Sequence, residues 1–350
     1  MNIILIILIF GIIIAFHEFG HFLVAKLNHI AVTEFSIGMG PAVFSTQKKE
    51  TKYSLRLLPI GGYCMMLGET EESEDERAFS NKPVWVRMMV VLAGPVFNII
   101  LAFVFSMLLI HLYGFDKPTL TKIVDNSAAY EAGLEAGDTI VKINGDNIYN
   151  FRELQLYMAL NSNSNPITFT VEKADGAIRD ITVIPRPDAN GDYKIGVYSG
   201  YFKPQGIGEN LSYSAYEVRY WLKATVTSLK LIVTGGVKSG DIMGPVGVGG
   251  AINDVIEEVK EESDTKSEAA LYIFLNLLNW SILLSVNLGI MNLLPIPALD
   301  GGRLLLLIVE AVRRKKIPEE KEAIVNLVGV VILVMLMVVV LFNDIKNVFF

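Results

Sequence analysis

The apolar run MNIILIILIFGIIIAFHEFGHFLVAKL, residues 1–27, decides the fold class, because it is long enough to cross a bilayer and yet contains two histidines and a glutamate. About 20 consecutive apolar residues span the hydrocarbon core of a membrane. His17, Glu18 and His21 fall inside that run, where an ionisable group costs roughly 2.5 to 3.5 kcal/mol. Such groups mark functional positions, so the run predicts a transmembrane helix that carries a site.

Three further apolar stretches are of similar length, and together the four predict a polytopic α-helical membrane protein. The chain is 52% hydrophobic and only 19% charged, which is too apolar for an ordinary soluble enzyme. A net charge of −7 without a basic stripe argues against nucleic acid as a partner, whereas membrane lipid is expected. The four transmembrane helices are predicted at residues 3–27, 84–113, 271–294 and 323–342.

The charges of the connections predict the orientation of the chain. Basic residues cluster in the first and third connections, at 48–56 and 303–321, and basic short loops favour the cytoplasm. Both termini and the long second connection are therefore expected outside. The first 16 residues lack a basic start and a small-residue cleavage site, so a removable signal peptide is not expected. Cys64 is the only cysteine, which excludes an intrachain disulfide.

The second connection, residues 115–270, is long and polar enough to fold in water. Its patterns predict a strand at 139–143, a tight turn at Asn144 and Gly145, a helix at 151–160, and then two strands. This order, with AGL-x-x-GD-x-I-x-x-ING at 132–145, resembles a bacterial PDZ domain. The alternative is an unrelated β-rich domain.

Beyond residue 188, the sequence predicts an amphipathic helix at 211–233. Two positions are possible for this helix: on the membrane surface, or packed on the PDZ-like domain. We expect domains at 1–114, 115–188, 189–270 and 271–350, of which the third holds this helix and a linker.

The motif HEFGH predicts a metal site. In a helix, His17 and His21 share one face, with Cβ atoms about 5 to 6 Å apart. Both imidazoles can therefore bind one Zn²⁺, and Glu18 can serve as the base. A catalytic zinc also needs a third protein ligand. Asp300 is a better candidate than His29 or His111, because it is the only carboxylate of NLGIMNLLPIPALDGGRLLLL, where two prolines interrupt the third span. The alternatives are a polar cluster that joins helices and, for Asp300, a helix N-cap.

Three motifs in this order resemble the site-2 protease family of intramembrane zinc metalloproteases: HEFGH at 17–21, AGPVFN at 93–98 and NLLPIPALDGG at 292–302. With one PDZ-like domain between the second and third spans, the chain most resembles the bacterial RseP-type subgroup. The resemblance implies Zn²⁺ bound by His17, His21 and Asp300, and Glu18 as the general base.

The same resemblance implies a substrate-binding surface. SIGMGPAVFS at 36–45 and RLLPIGGYCMMLGE at 56–69 resemble the family's membrane re-entrant β-hairpin, expected here at about 34–68, with Gly61 and Gly62 as substrate-binding residues. Asn292 and Asn287 are expected to bind the substrate backbone, with an interhelical hydrogen bond as the alternative for Asn287. GPVGVGG at 244–250 resembles a family segment near the substrate entry, or else is a flexible linker.

The predicted function is hydrolysis of peptide bonds in the transmembrane segments of single-span membrane proteins. The expected substrates are anti-sigma factors that another protease has already shortened outside the cell, or signal-peptide remnants. The resemblance also implies a bacterial plasma membrane, with an extracytoplasmic PDZ-like domain and an active site nearer the cytoplasm. The alternative function is a non-catalytic zinc-binding scaffold or transporter that presents a PDZ domain.

Overall fold

The computed structural model describes residues 2–69, 73–188, 190–236 and 243–349. Parts of the predicted domain at 189–270 lie outside the described residues, at 189 and 237–242. Four helices of the described chain are long and apolar enough to cross a membrane, and they agree with the four predicted spans. They comprise Ile4–Leu27, Val84–Leu112, Lys266–Asn292 and Glu320–Asp344.

The chain divides into two compact units, one formed by residues 1–105 with 225–350 and the other by residues 106–224. We refer to the first as the helical unit and to the second as the inserted domain. In chain order the elements are α1 (Asn2–Leu27), β1 (Val32–Lys48), β2 (Thr51–Met66), α2 (Val84–Leu112), β3 (Phe115–Ile123), α3 (Ala128–Glu131), β4 (Thr139–Ile143), β5 (Asp146–Asn147), α4 (Phe151–Leu160), β6 (Ile167–Glu172), β7 (Ile178–Val183), β8 (Arg186–Pro187), β9 (Tyr193–Lys194), β10 (Val197–Phe202), α5 (Ile207–Val233), α6 (Pro245–Glu262), α7 (Lys266–Asn292), α8 (Asp300–Arg313) and α9 (Glu319–Phe349).

In the helical unit, α1 and α2 approach each other closely at the HEFGH motif. A Cβ atom on Gly20 would lie 2.5 Å from the carbonyl oxygen of Ala93, so only glycine allows this contact. Apolar side chains of both helices pack together beyond the motif, including Ile13 and Leu101. The polar motif is therefore held at a close contact between two apolar helices.

Strands β1 and β2 form an antiparallel hairpin that bends on itself. The bend lets the first part of β1 pair on both edges: Phe35 is opposite Cys64 on one side and Tyr53 on the other. Gly61 has φ +82°, a left-handed conformation that favours glycine, just before the last segment of β2. This last segment, Gly62–Met66, pairs with β1 on one side and has no second strand partner among the described residues.

The connection between α7 and α8 contains Pro295 and Pro297, which cannot continue a helix. Three glycines pack against its carbonyl groups: a Cβ atom would lie 2.3 Å from the oxygen of Leu293 at Gly301, of Ile296 at Gly302, and of Pro297 at Gly329 of α9. The path of this connection therefore depends on the two glycines of the LDGG sequence and on the last helix.

Helix α6 begins inside GPVGVGG, so the described part of this segment is a helix N-terminus rather than a flexible linker. The carboxylate of Asp344 on α9 accepts hydrogen bonds from the backbone N–H groups of Gly244 (2.8 Å), Val246 (3.1 Å) and Gly247 (3.0 Å). A carboxylate at this position satisfies N–H groups that have no partner within the helix. Asp344 is buried and ties α6 to the last helix.

The inserted domain is built on a sheet with strand order β10-β3-β4-β6-β7, and its core includes Phe169, Ile140 and Leu154. The predicted helix and strands between residues 139 and 186 are confirmed as β4, α4, β6 and β7. The predicted end of this domain at residue 188 is wrong. Strand β10 pairs with β3, and Ile195 belongs to the core, so the sheet needs the chain beyond residue 188.

The first part of α5 packs on the inserted domain, which is one of the two positions considered for the predicted amphipathic helix. Arg152 lies between the carboxylates of Glu217 (2.5 Å) and Asp116 (3.4 Å), and the indole of Trp221 donates to Glu217. Tyr216 stacks on Tyr149. Burial raises the pKa of Glu217, while the guanidinium of Arg152 opposes this rise.

Candidate metal centre

Helix α1 supplies two imidazoles to one point inside the helical unit. His17 and His21 are 6% and 9% exposed, and their Nε2 atoms are 3.3 Å apart. The spacing of four residues puts them on one helix face, and the contact of α1 with α2 excludes water from that face. Buried imidazole nitrogens this close to each other require a ligand or proton between them.

Helix α8 brings the carboxylate of Asp300 to the same point. Its Oδ2 atom lies 3.1 Å from Nε2 of His17 and 3.4 Å from Nε2 of His21. Asp300 is the first residue of α8, Leu299 is the N-cap, and that cap shows no side-chain hydrogen bond. The alternative of Asp300 as a helix N-cap is therefore wrong, and its carboxylate faces the histidines.

The three donor atoms have the spacing that a tetrahedral zinc requires. Ligands about 2.0 to 2.1 Å from such an ion are about 3.3 to 3.4 Å from one another. Oδ2 of Asp300 is buried without a hydrogen-bond partner among the described residues, which suits a ligand atom. Within the described chain, His17, His21 and Asp300 form a group of side chains that could together hold a metal ion. Two nitrogens and one oxygen fit Zn²⁺ and leave the fourth position open.

A cavity of about 410 Å³ adjoins the three side chains. Glu18, the predicted base, lines it together with Gly61, Gly62 and Asn292. A Cβ atom on Gly62 would lie 3.1 Å from Cγ of Glu18, so the last segment of β2 runs directly beside this glutamate. The cavity therefore brings together the three candidate metal ligands, the carboxylate of Glu18 and a strand edge.

The two predicted asparagines differ in position. Nδ2 of Asn292 lies 3.4 Å from Nε2 of His17, at the metal ligands. Asn287 does not line the cavity; its Oδ1 accepts a hydrogen bond from Thr225, 2.5 Å away, as the interhelical alternative predicts. The expectation that Asn287 faces the substrate is thus not supported by the geometry of the described residues.

Arg303, one turn beyond Asp300, forms ion pairs with Glu69 and Glu322 and lies over the ring of Phe79. Arg303 and Glu69 line the cavity of about 410 Å³ beside the three side chains and also two adjoining cavities of about 260 and 560 Å³. The ion pairs therefore stand on the wall that these cavities share. In the sequence Arg303 counted only among the basic residues of the third connection, because its ion-pair partner Glu69 is far away along the chain.

Helix α2 carries further site residues that the sequence did not reveal. Its motif AGPVFN, at 93–98, includes Pro95, which lies inside α2. The motif also places Gly94 against both histidines: a Cβ atom there would lie 2.3 Å from Nε2 of His21 and 2.7 Å from Cε1 of His17. The signal available in the sequence was a glycine inside a transmembrane segment, which often marks close helix packing.

Comparison with known proteins agrees with this geometry. The family model described as peptidase family M50 matches residues 5–336. The chain belongs to peptidase family M50. The predicted family is thereby confirmed, together with the prediction of a metalloprotease whose cofactor is Zn²⁺.

Several M50 relatives are similar over nearly their whole length. A Clostridium acetobutylicum protein whose name describes a zinc metalloprotease is 39% identical, over 98% of this chain and 97% of the relative. The regulator of sigma-W protease RasP of Bacillus subtilis is 33% identical, over 98% of both chains. Among solved structures, the PDZ domain of the SdrC-like protein from Listeria innocua covers 25% of this chain and 97% of that domain, with 19% identity and a TM-score of 0.23.

Proposed function

We propose that this M50 peptidase is an intramembrane endopeptidase, which cuts peptide bonds within the transmembrane segments of single-span membrane proteins. The observation that supports it most is the convergence of His17, His21 and Asp300 beside Glu18. His17, Glu18 and His21 lie in a helix that could cross a membrane, and Asp300 begins α8, which lies in the chain between two other such helices. A peptidase site in such helices meets its substrates at the depth of the bilayer.

In this proposal His17, His21 and Asp300 hold zinc. When bound, zinc supplies a Lewis acid that polarises a peptide carbonyl and acidifies water. Glu18 takes a proton from the attacking water and returns it to the leaving amine, because the other cavity carboxylate outside the ligand set, Glu69, is paired with Arg303. The helices that line the cavity hold these groups close together, and such positioning lowers the barrier of the reaction.

The last segment of β2 is the proposed substrate-binding edge. A transmembrane helix keeps its amides in its own hydrogen bonds, so it must unwind before a peptide bond can be cut, and its backbone groups then need new partners. The segment Gly62–Met66 offers an unpaired strand edge. Gly62 keeps this edge within reach of Glu18, and the position of the Asn292 amide beside His17 supports a role in binding the substrate carbonyl.

We propose that the inserted domain is a PDZ-type domain that binds the C-terminus left by an earlier cut outside the cell. Its sheet and α4 follow the element order of such domains, and a groove of about 690 Å³ lies between α4 and residues 192–198. Leu154 and Met158 give this groove an apolar wall, next to strand β10. Titration with a peptide and with its C-terminally amidated form tests this role, since equal binding of the two contradicts recognition of a free carboxylate.

The proposed substrates are anti-sigma factors, because a relative of this chain is named a regulator of sigma-W protease; signal-peptide remnants are proposed from the family resemblance of the motifs alone. The basic first and third connections support an orientation with the inserted domain outside a bacterial plasma membrane and the metal centre nearer the cytoplasm. Quantitative proteomics of cells with the parent enzyme and with Glu18→Gln identifies the substrates. Membrane stubs that accumulate only with the variant are the expected result.

Replacing Glu18 by glutamine tests the proposed chemistry. The ligand set is unchanged, so purified Glu18→Gln should contain as much zinc as the parent, yet cleave a model transmembrane substrate about 10² to 10⁴ times more slowly. Glu258→Gln, on the exposed face of α6, is the control and should cleave at the parent rate. Parent-rate cleavage by zinc-loaded Glu18→Gln would disprove the mechanism and leave the scaffold alternative.

A further inference from the structure

The hydrogen bonds behind the two histidines differ in kind. Nδ1 of His21 lies 2.8 Å from the carbonyl oxygen of Val90 on α2. A carbonyl oxygen can only accept, so this Nδ1 carries the hydrogen and Nε2 keeps its lone pair. Nε2 is the atom that faces Asp300. The backbone of α2 thus fixes His21 in the form that can bind a metal ion.

His17 needs the same form but faces a side chain. Its Nε2 also points at Asp300, so Nδ1 has to carry the hydrogen and requires an acceptor. The group next to Nδ1 is the amide of Asn98, whose Nδ2 is 3.2 Å away. Oδ1 of the same amide is buried without a hydrogen-bond partner among the described residues. A half-turn of the amide exchanges these two atoms and gives Nδ1–H its acceptor.

We propose that Asn98 is a positioning residue for zinc: its amide oxygen accepts from Nδ1–H of His17 and holds Nε2 ready for the metal. Asn98 does through its side chain what Val90 does through its backbone for His21. Val90, Gly94 and Asn98 are spaced by four residues, so one face of α2 supports both imidazoles. The proposal rests on the ligand set given above.

Packing against α7 fixes the position of Asn98. Its side chain is fully buried, and its backbone carbonyl accepts a hydrogen bond of 2.8 Å from Ser285. Gly289 lets α7 approach, since a Cβ atom there would lie 3.1 Å from the carbonyl oxygen of Pro95 and 3.5 Å from Cβ of Asn98. The amide can therefore turn about its last bond but cannot move away from His17.

Zinc affinity separates this role from simple packing. Loss of a partner that orients a ligand typically weakens metal binding by about 10 to 100-fold. Competition with a chelator should show that loss for Asn98→Leu, which has similar size but no acceptor, whereas Asn98→Asp keeps an acceptor and should stay within a few-fold of the parent. Asn276→Leu is the control, because Asn276 donates only to its own helix in the bonds described and should leave affinity unchanged.

A spectrum of the unmodified protein tests the same point without a variant. The chain has four histidines, so the imidazole nitrogens of a ¹⁵N-histidine sample can be assigned. The zinc-loaded protein should show a hydrogen-bonded Nδ1–H on His17, and Asn98→Leu should shift it or expose it to exchange. Equal affinities for the parent and Asn98→Leu, or metal on Nδ1 of His17, would overturn the role of Asn98. Absence of any zinc-dependent change on His17 would instead contradict the ligand set.

Discussion

Replacing Gly94 by alanine should separate the stability of the fold from the affinity of the metal centre. The added Cβ atom would lie 2.3 Å from Nε2 of His21 and 2.7 Å from Cε1 of His17, whereas ordinary contacts begin near 3.4 Å. The imidazoles or α2 must therefore shift by about 1 Å, while zinc ligands tolerate deviations of only about 0.2 Å.

The expected effects of Gly94→Ala have opposite signs. Alanine favours a helix over glycine by about 0.5 to 1 kcal/mol, so α2 itself gains stability. A misplacement of about 1 Å in an active site can lower a rate about 100-fold, and we expect at least that loss in cleavage together with weaker zinc binding. Zinc content after dialysis, chelator competition and cleavage of a model transmembrane substrate measure these effects.

Gly249→Ala is the matched control. Gly249 also lies inside a helix, and a Cβ atom there would meet nothing within 4 Å. This variant should bind zinc and cleave as the parent does. If Gly94→Ala also binds zinc with the parent affinity, the two histidines are not held against α2 in the way described, and the reasoning is refuted.

Three further predictions concern other parts of the chain. Arg152→Met leaves buried Glu217 without its cation and should destabilise the inserted domain by about 3 to 5 kcal/mol, measured by hydrogen exchange. Burial raises the pKa of Glu217, so its carboxyl group binds a proton more tightly in the folded domain than in the unfolded chain. The free energy of unfolding should therefore fall as pH rises above about 4.5, and it should fall more steeply in Arg152→Met. A stability that does not change with pH would contradict this. Arg303→Ala removes two ion pairs from a wall of the cavity that Cys64 also lines. A charged thiol reagent should then modify Cys64 several-fold faster than in the parent. An unchanged rate of modification would argue that this wall is not a barrier to the reagent. Asp344→Leu should cost about 1 to 2 kcal/mol and lower exchange protection at the start of α6, whereas Asp344→Asn should retain part of the cap; equal losses would show that the acceptor is unimportant.

The three candidate metal ligands can be found in the sequence because each departs from what an apolar span allows. His17 and His21 are polar residues in an apolar span, and Asp300 follows prolines that break another. The sequence spacing of the histidines is also the helical spacing, so their relative geometry follows from the spacing alone. Asp300 can be proposed as the third ligand because it is the only carboxylate in the stretch NLGIMNLLPIPALDGGRLLLL.

The supporting residues cannot be predicted in this way. The amide of Asn98 on α2 contacts His17 on α1. Gly94 matters because it has no side chain, which leaves room for both histidines against α2. Gly94 and Asn98 are four residues apart and so share one face of α2, but the sequence does not show that this face meets the two histidines. The predicted end of the inserted domain is wrong for a related reason: β10 joins β3, which lies some 80 residues nearer the N-terminus, and a short strand gives no sign of so distant a partner.

Three glycines, Gly301, Gly302 and Gly329, pack against the connection from α7 to α8, and this packing has a consequence for the assembly of the protein in the membrane. Gly329 lies on α9, the last helix of the described chain, and packs on Pro297 just ahead of Asp300. A nascent chain that has inserted only its earlier helices holds both histidines but lacks this support for the carboxylate. The packing that supports Asp300 is therefore complete only once the final span has joined the earlier helices.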